Sequence, residues 1–380
     1  MKKLYTLSAF LFLFAARTLA QTGELQGRVY DEKTNEGIPF ASVVLELNGT
    51  QKGLGQTDDN GNFTIKPIVP GTYDVKVAYL GYQPVIIKGV QVVADRISFQ
   101  NMPMKQSSTT LPEIIVSTEK LIEPDKTTTG STLDKTEISH IATRNTNNYA
   151  SLTAGVFQRD DGKALNIAGA RENATQYFVD GIKMRGTLNL PQSSIEQLTV
   201  LTGGIPAKYG DALGGVINIT TRGPSDQYNG GLELVTSQYL DAFGYDLASL
   251  NLSGPVYTKY KGTDSAKTRI GFFVSGEWEH NKDASSPVVP VYKVKDDYLD
   301  YLRTNPLTPS TTASGFVPTS SFIKPDDMET IKYRLNNVDN SYRFSGKLDF
   351  QLSDYINLTF GGNFEMLRFI NWDYNSSLFD

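Results

Sequence analysis

The side chains that most often carry chemistry are scarce in this sequence. It has no cysteine, and its two histidines, His140 and His280, lie far apart. A zinc site gathers about four Cys, His or carboxylate ligands, and a triad aligns a nucleophile, a histidine and an acid. There is little here to build either. The acidic run Thr57-Asp58-Asp59-Asn60-Gly61-Asn62-Phe63 suggests a calcium loop until its spacing is tested. An EF-hand register puts Gln56 first and Pro67 twelfth, where a bidentate Glu is required. Asn60-Gly61 fits better as a type I′ hairpin turn, because both residue types tolerate positive φ. The sequence shows no glycine-rich phosphate loop and no nucleophile motif. The expectation is a protein that is not an enzyme, with no catalytic residue, metal or cofactor.

What remains is main-chain chemistry. Leu111-Pro112-Glu113-Ile114-Ile115-Val116-Ser117-Thr118 is a short β-prone run between two polar stretches. Two readings are open for Glu113, Ile114, Ile115, Val116 and Ser117. They form the last strand of the preceding domain, or a loose strand offered to another protein's sheet edge, where main-chain hydrogen bonds supply the affinity.

The surrounding chain limits these readings. Residues 1–20 read as a signal peptide: Lys2 and Lys3, then a mostly apolar run from Leu4 to Ala16, then small residues before Gln21. That run is too short to span a bilayer as a helix, and no other run approaches the length needed. Removing it takes Lys2, Lys3 and Arg17, so the formal charge falls from −5 to −8. An acidic chain argues against nucleic acid as a partner. At 380 residues, two to three domains are expected.

Residues 22–105 contain short alternating runs separated by turn signals: LQGRVYD, ASVVLEL, GNFTIKP, GTYDVKVAYLGY, PVIIKGVQVV and RISFQNMPM. Strands so spaced predict a seven-strand β-sandwich. Gly27, Pro39, Ala41, Asp58, Gly61, Phe63, Gly71, Tyr73, Gly81 and Tyr82 carry a resemblance to the carboxypeptidase regulatory-like domain, a small transthyretin-type sandwich. The resemblance implies an accessory domain without peptidase chemistry. Residues 106–130 read as a linker holding the segment 111–118.

From 131 to 225 helix and strand signals mix. KTEISHIATRNTNNYASLTAGVF predicts a helical pair with Ile138, Ile141, Tyr149 and Leu152 as its apolar positions. LNIAG reads as a strand, and ATQYFVDGIKM as two strands pivoting on Asp180-Gly181. PQSSIEQLTVLTG reads as a short helix capped by Ser193 or Ser194 that passes into a strand. The stretches QYFVDGIKMRG and SSIEQLTVLTGGIPAKYGDALGGVINITTRG resemble the plug domain of TonB-dependent outer-membrane receptors. Asp180, Gly181, Glu196, Gly203, Tyr209, Gly210, Gly214, Gly215 and Asn218 carry that likeness. Small residues at the glycine-rich turn are expected to let plug and barrel wall approach closely. In one departure from the family pattern, Ala168-Gly169 stands where many plugs have Arg-Gly. The resemblance also implies that the segment at 113–117 is the TonB box, which pairs with periplasmic TonB.

After Gly223 the period becomes two. Phe344, Gly346, Leu348, Phe350 and Leu352 alternate with Ser345, Lys347, Asp349 and Gln351. Ile356, Leu358, Phe360, Gly362, Phe364 and Met366 form a second apolar row. Ile270, Phe272, Val274 and Trp278 form a third, opposite Ser275, Glu277 and Glu279. Strands are expected near 229–238, 245–255, 268–280, 341–353 and 355–370. Long strands, apolar outside and polar inside, suit a transmembrane barrel, as does one long loop (281–340) set against a tight turn at Ser353-Asp354-Tyr355. A plugged barrel has about 22 strands, on the order of 200 residues before loops. Only 157 residues follow Gly223, so the chain reads as the N-terminal part of a longer receptor.

The expected fold is mainly β: a transthyretin-like sandwich, an α+β plug, and the first strands of an incomplete transmembrane antiparallel barrel at 226–380. The resemblance implies a TonB-dependent transporter in the outer membrane, with the sandwich in the periplasm and outer-membrane lipid around the barrel. A sandwich before the box suggests a Bacteroidota-type receptor. A surface lipoprotein of SusD type is a further candidate partner, although DALGGV departs from the plug ending usual in SusC-like importers. The alternative function is a secreted β-domain adhesin or glycan-binding protein.

Overall fold

The structure is a computed structural model that describes residues 21–47, 49–106, 114–117, 128–160, 162–259, 267–283, 287–310, 314–353 and 356–370. The expected signal peptide lies outside the described residues. The chain forms two compact units, residues 1–188 with 195–222, and residues 189–194 with 223–380.

In the first unit, β1 (Gly23–Asp31), β2 (Ser42–Leu47), β3 (Thr50–Gln56), β4 (Asn62–Ile68), β5 (Gly71–Ala78), β6 (Val85–Val92), β7 (Ile97–Phe99), β8 (Met102–Met104) and β9 (Ile114–Ser117) build a sandwich. One sheet runs β3-β2-β5-β6-β9; the other runs β4-β1-β7, with β8 also paired to β1. Alternation explains the core: Tyr73, Val75 and Val77 of β5 point inward with Val43, Leu45 and Ile87, all buried. The strand β3 is absent from the sequence reading because TQKGLGQ has no apolar period. Its glycines answer a packing need instead, since a Cβ at Gly53 or Gly55 would lie 2.9 or 2.8 Å from Ile65.

The Asp58–Gly61 turn differs from the expected type I′. Only Gly61 takes positive φ, 82°. The Gly61 N–H donates to the Asp58 carbonyl at 3.0 Å, and the Asp58 carboxylate accepts from the Asn60 and Asn62 N–H groups at 2.9 and 2.8 Å. An aspartate that folds back on its own backbone replaces the second left-handed residue.

Asp31, at the end of β1, is buried and receives four donors. These are the Lys33 and Thr34 N–H groups at 2.8 and 3.2 Å, the Tyr82 hydroxyl at 3.0 Å, and Gln106 Nε2 at 2.6 Å. The Lys33 N–H leads these donors in outweighing burial, and the carboxyl is held below its ordinary value. A carboxylate whose pKa is lowered by folding contributes stability above its unfolded value, and that contribution is lost as pH falls through the folded one. Thermal melts should therefore show the sandwich weakening as pH drops below about 4. Asp31→Asn should lower stability at neutral pH and flatten that acid limb.

Outside the sandwich, the same unit contains a further five-stranded sheet, formed from β10 (Thr129–Asp134), β13 (Gln176–Val179), β14 (Ile182–Lys183), β15 (Ile195–Gly203) and β16 (Val216–Thr221) in the order β10-β15-β16-β13-β14. The expected helical pair is present as α1 (Lys135–Ser139) and α2 (Thr146–Ser151), and β11 (Val156–Gln158) pairs with β12 (Leu165–Ile167). A capping box starts α1: the Asp134 carboxylate accepts from Glu137 N–H while Glu137 accepts from Asp134 N–H. Ile138 and Tyr149 are fully buried, but Leu152 lies just past α2 and is exposed.

Ser193 and Ser194 do not cap a helix. They lie inside a single 3-10 turn, Gln192–Ser194, where the Ser194 hydroxyl donates to the Pro191 carbonyl at 2.7 Å, and β15 begins at the next residue.

The second unit is a meander of long strands: β17 (Asn229–Thr236), β18 (Tyr245–Lys259), β19 (Lys267–Asn281), β24 (Asp339–Gln351) and β25 (Asn357–Phe369). They pair antiparallel in the order β17-β18-β19-β24-β25, an open sheet with β17 and β25 at its edges. Cross-strand partners continue one apolar face: Leu252 opposite Val274, Phe272 opposite Leu348, Phe344 opposite Phe364, and Leu348 opposite Phe360. Phe273 departs from the pattern, lying on the polar face and fully buried.

The long loop has structure of its own. β20 (Val291–Val294) pairs with β23 (Met328–Ile331), α3 (Asp296–Thr304) follows β20, and β21 (Leu307–Pro309) pairs with β22 (Phe316–Pro318). Its stem is fixed by Asp283, which accepts from Arg334 at 2.9 Å and Asn337 at 2.7 Å. Asp354 and Tyr355 of the expected tight turn lie outside the described residues.

Candidate functional site

The strand VINITT, β16, is the middle strand of the five-stranded sheet β10-β15-β16-β13-β14, and every residue in it is buried. It runs parallel to β13 and antiparallel to β15. A strand covered on both faces needs apolar residues on both, which accounts for Val216, Ile217 and Ile219. The amide that interrupts it has a partner: Asn218 Oδ1 accepts from Gln21 Nε2 at 2.9 Å, and Thr220 donates to Gln21 Oε1 at 3.1 Å. The Asp180-Gly181 turn has φ of 48° and 81°, as a two-residue hairpin requires. Its aspartate also closes the end of β16, accepting from Thr221 N–H at 2.9 Å and Thr221 Oγ1 at 2.6 Å.

The glycines of the preceding turn do different work. Gly210 adopts φ 59°, ψ −123°, a conformation open almost only to glycine. At Gly214 a Cβ would lie 3.0 Å from both Ala170 and Ala174; at Gly215 it would lie 2.3 Å from Ile167 Cγ2. The close approach at this pair is therefore to β12 and the turn after it, within the same unit. Gly203 ends β15 opposite Thr129, whose Oγ1 leaves 2.6 Å for a Cβ. Tyr209 is buried edge-on against Phe178, 4.9 Å between ring centroids. Burial, helped by the charge of Asp95, pushes its hydroxyl up to about 12. Glu196 draws Lys135 at 3.3 Å and Arg222 at 3.6 Å.

The sandwich and this sheet belong to one unit and are joined by polar contacts. Gln197 Nε2 donates to the Val92 carbonyl at 2.8 Å, a buried bond, and Lys208 pairs with Asp95 at 2.6 Å. Of the segment read as a coupling strand, Glu113 lies outside the described residues. Ile114, Ile115, Val116 and Ser117 form β9, parallel to β6, in register with Val85, Ile86, Ile87 and Lys88. Both open readings touch this geometry, since the segment is a strand and also an edge.

A charged cluster in the second unit was not singled out from the sequence. Arg343 of β24, nearly fully buried, reaches Glu277 at 2.7 Å and Glu279 at 2.9 Å on β19, and Glu365 at 3.7 Å on β25. Residues 189–194 pack onto these carboxylates. Asn189 donates its N–H and its amide to Glu365 at 3.0 and 2.9 Å, and Gln192 N–H donates to Glu277 at 3.3 Å. Alternation already put Glu277 and Glu279 on one face; strand register adds Arg343, directly opposite Glu277. Asn189→Asp sets a carboxylate against Glu365 in place of a donor. Hydrogen exchange across 189–194 should then accelerate roughly tenfold or more, the worth of hydrogen bonds to a charged group.

Comparison with known proteins follows the same division. The family described as carboxypeptidase regulatory-like domain matches residues 24–105, and that described as TonB-dependent receptor plug domain matches 124–216. The TonB-dependent transporter Oar of Myxococcus xanthus is 27% identical over 239 residues, 57% of this chain and 22% of its own. The probable TonB-dependent siderophore receptor PirA of Acinetobacter baumannii is 33% identical over 144 residues, 33% of this chain and 19% of its own. The crystal structure of the siderophore receptor PirA from Acinetobacter baumannii aligns with 63% of this chain and 31% of that one, at 20% identity and a TM-score of 0.43. This chain thus spans about a fifth of the length of the curated relatives it matches. It carries, in order, a carboxypeptidase regulatory-like domain and the plug domain of a TonB-dependent receptor.

Proposed function

We propose that the chain is the plug-bearing and energy-coupled part of a TonB-dependent outer-membrane transporter. The observation that supports this best is the sequence of elements. A plug sheet centred on β16 leads within eight residues to the first of the long alternating strands, β17. In this reading the apolar face of β17–β25 meets lipid, the loop between β19 and β24 lies outside the cell, and the sandwich lies in the periplasm after export through the signal peptide. TonB engages Glu113–Ser117 by strand addition and transmits work to the plug. No catalytic step is required of the chain.

Fractionation of cells making the protein tests this. A heat-modifiable band in the outer-membrane fraction is the expected result, and a soluble secreted band overturns it. One relative is named a probable siderophore receptor, so ferric chelates are the first cargo to assay for TonB-dependent uptake. A detergent pull-down from the native envelope tests for a SusD-type lipoprotein.

A further inference from the structure

We infer that the coupling strand works while held in the sandwich sheet: a strand of the energy-coupling partner adds to the outer edge of β9 while β9 stays paired to β6. This rests on reading Ile114–Ser117 as the coupling segment.

The edge offered by β6 is short and defined. Pro84, just before it, has no N–H to give, and at Gly89, with φ 79°, β6 bulges where its register with β5 shifts. Between them Val85, Ile86, Ile87 and Lys88 form an edge of four residues, and the four residues of β9 cover it in register. A bare edge of this composition is a site for unwanted pairing, which proteins cover or blunt.

The chain on both sides of β9 is tied to the same domain. Before it, Gln106 donates to Asp31 at 2.6 Å and to the Tyr82 hydroxyl at 3.2 Å, and the Gln83 N–H donates to the Lys105 carbonyl at 2.9 Å. After it, Arg96 donates to Thr128 Oγ1 at 2.7 Å. Seven residues separate Gln106 from Ile114, and ten separate Ser117 from Thr128. Short tethers to two anchors raise the effective concentration of the segment at β6.

A strand has two edges, because alternate residues direct their N–H and C=O groups to opposite sides. β6 occupies one edge of β9, and among the described strands β9 is the last in its sheet. A partner strand thus meets a template already extended and in register. A free peptide would lose conformational entropy on binding that a docked strand has already given up.

The chain has no cysteine, so Lys88→Cys with Ser117→Cys permits a single intramolecular disulfide, between facing positions of β6 and β9. The full chain in detergent, oxidised and then reduced, is titrated with the periplasmic portion of TonB. The expected result is ready disulfide formation and oxidised affinity within roughly threefold of the reduced form. A loss of about tenfold or more on oxidation, restored by reductant, means that β9 must leave β6. That overturns the proposal while keeping the coupling segment where it is. Failure of the disulfide to form overturns it as well, because the segment is then not docked. If the wild-type chain does not bind TonB, or Val116→Pro binds as well as wild type, the coupling reading itself fails and the inference with it.

Discussion

In the proposed transporter, Gly215→Val is expected to lower the outer-membrane level sharply, leaving a protease-sensitive remnant. A Cβ at this position would lie 2.3, 2.5 and 2.6 Å from Ile167 Cγ2, Cδ1 and Cβ. Ile167 is fully buried, and contact at its Cβ and Cγ2 cannot be relieved by swinging a flexible tip. Overpacking a close-packed core costs about 1–3 kcal/mol and sometimes more, and valine adds two further methyl groups to the clash. The shift falls on the entry to β16, the middle strand of its sheet, so neighbours on both sides feel it. Outer-membrane level and trypsin resistance read the outcome. Pairing Gly215→Ala with Ile167→Ala should recover much of what Gly215→Ala alone loses, because the second change opens the space. Wild-type assembly of Gly215→Val would reduce Gly215 to an ordinary turn residue.

Gly210 should respond differently, which separates crowding from backbone strain. No atom lies within 4 Å of a Cβ there, yet its φ of 59° and ψ of −123° are strained for any L-residue. Gly210→Ala should therefore weaken assembly by about 1–3 kcal/mol without any rescue from a neighbouring cavity.

What could be read from the sequence, and what could not, follows from how far each signal reaches along the chain. The long strands of the second unit were legible because alternation held for ten or more residues, and the pairing bears it out from Phe272–Leu348 to Phe344–Phe364. The turn at Asp180-Gly181 was legible because its chemistry is local. β3 was not, since its glycines serve Ile65 of the other sheet, a contact that one strand's pattern does not contain. The Asp58 turn was misread because an aspartate side chain did the work assigned to Asn60. Gln21 carries no signal of its own in the sequence because its partners, Asn218 and Thr220, are nearly 200 positions away. The Arg343 cluster required the register between β19 and β24, which alternation within single strands does not supply. Glu196 and Asn218 were marked by resemblance alone; the structure adds the ion pairs of the first and the Gln21 contact of the second.

The largest functional effect is expected from proline in β9. On the proposed function, Ile115→Pro and Val116→Pro should each abolish energised uptake while leaving cargo binding at the cell surface intact. Proline removes the N–H and fixes φ, so it harms strand pairing in a way alanine does not, and Ile115→Ala should be milder. The geometry adds a distinction between the two positions. Adjacent residues in a strand direct their N–H groups to opposite edges, so one of these prolines removes a donor facing β6 and the other a donor on the open edge. Proline is tolerated at a sheet edge when its missing N–H faces away from the ladder. The first variant should therefore lower the melting temperature of the sandwich and the second should leave it nearly unchanged, although both lose uptake. A core change such as Ile87→Ala supplies the scale, about 2–5 kcal/mol for a buried isoleucine. If both prolines unfold the sandwich to that extent and uptake falls only in proportion to protein level, Ile114–Ser117 is a structural strand and the TonB box lies elsewhere. If one proline melts the sandwich and the other stops transport in a fully folded protein, the two edges of β9 have two separate tasks.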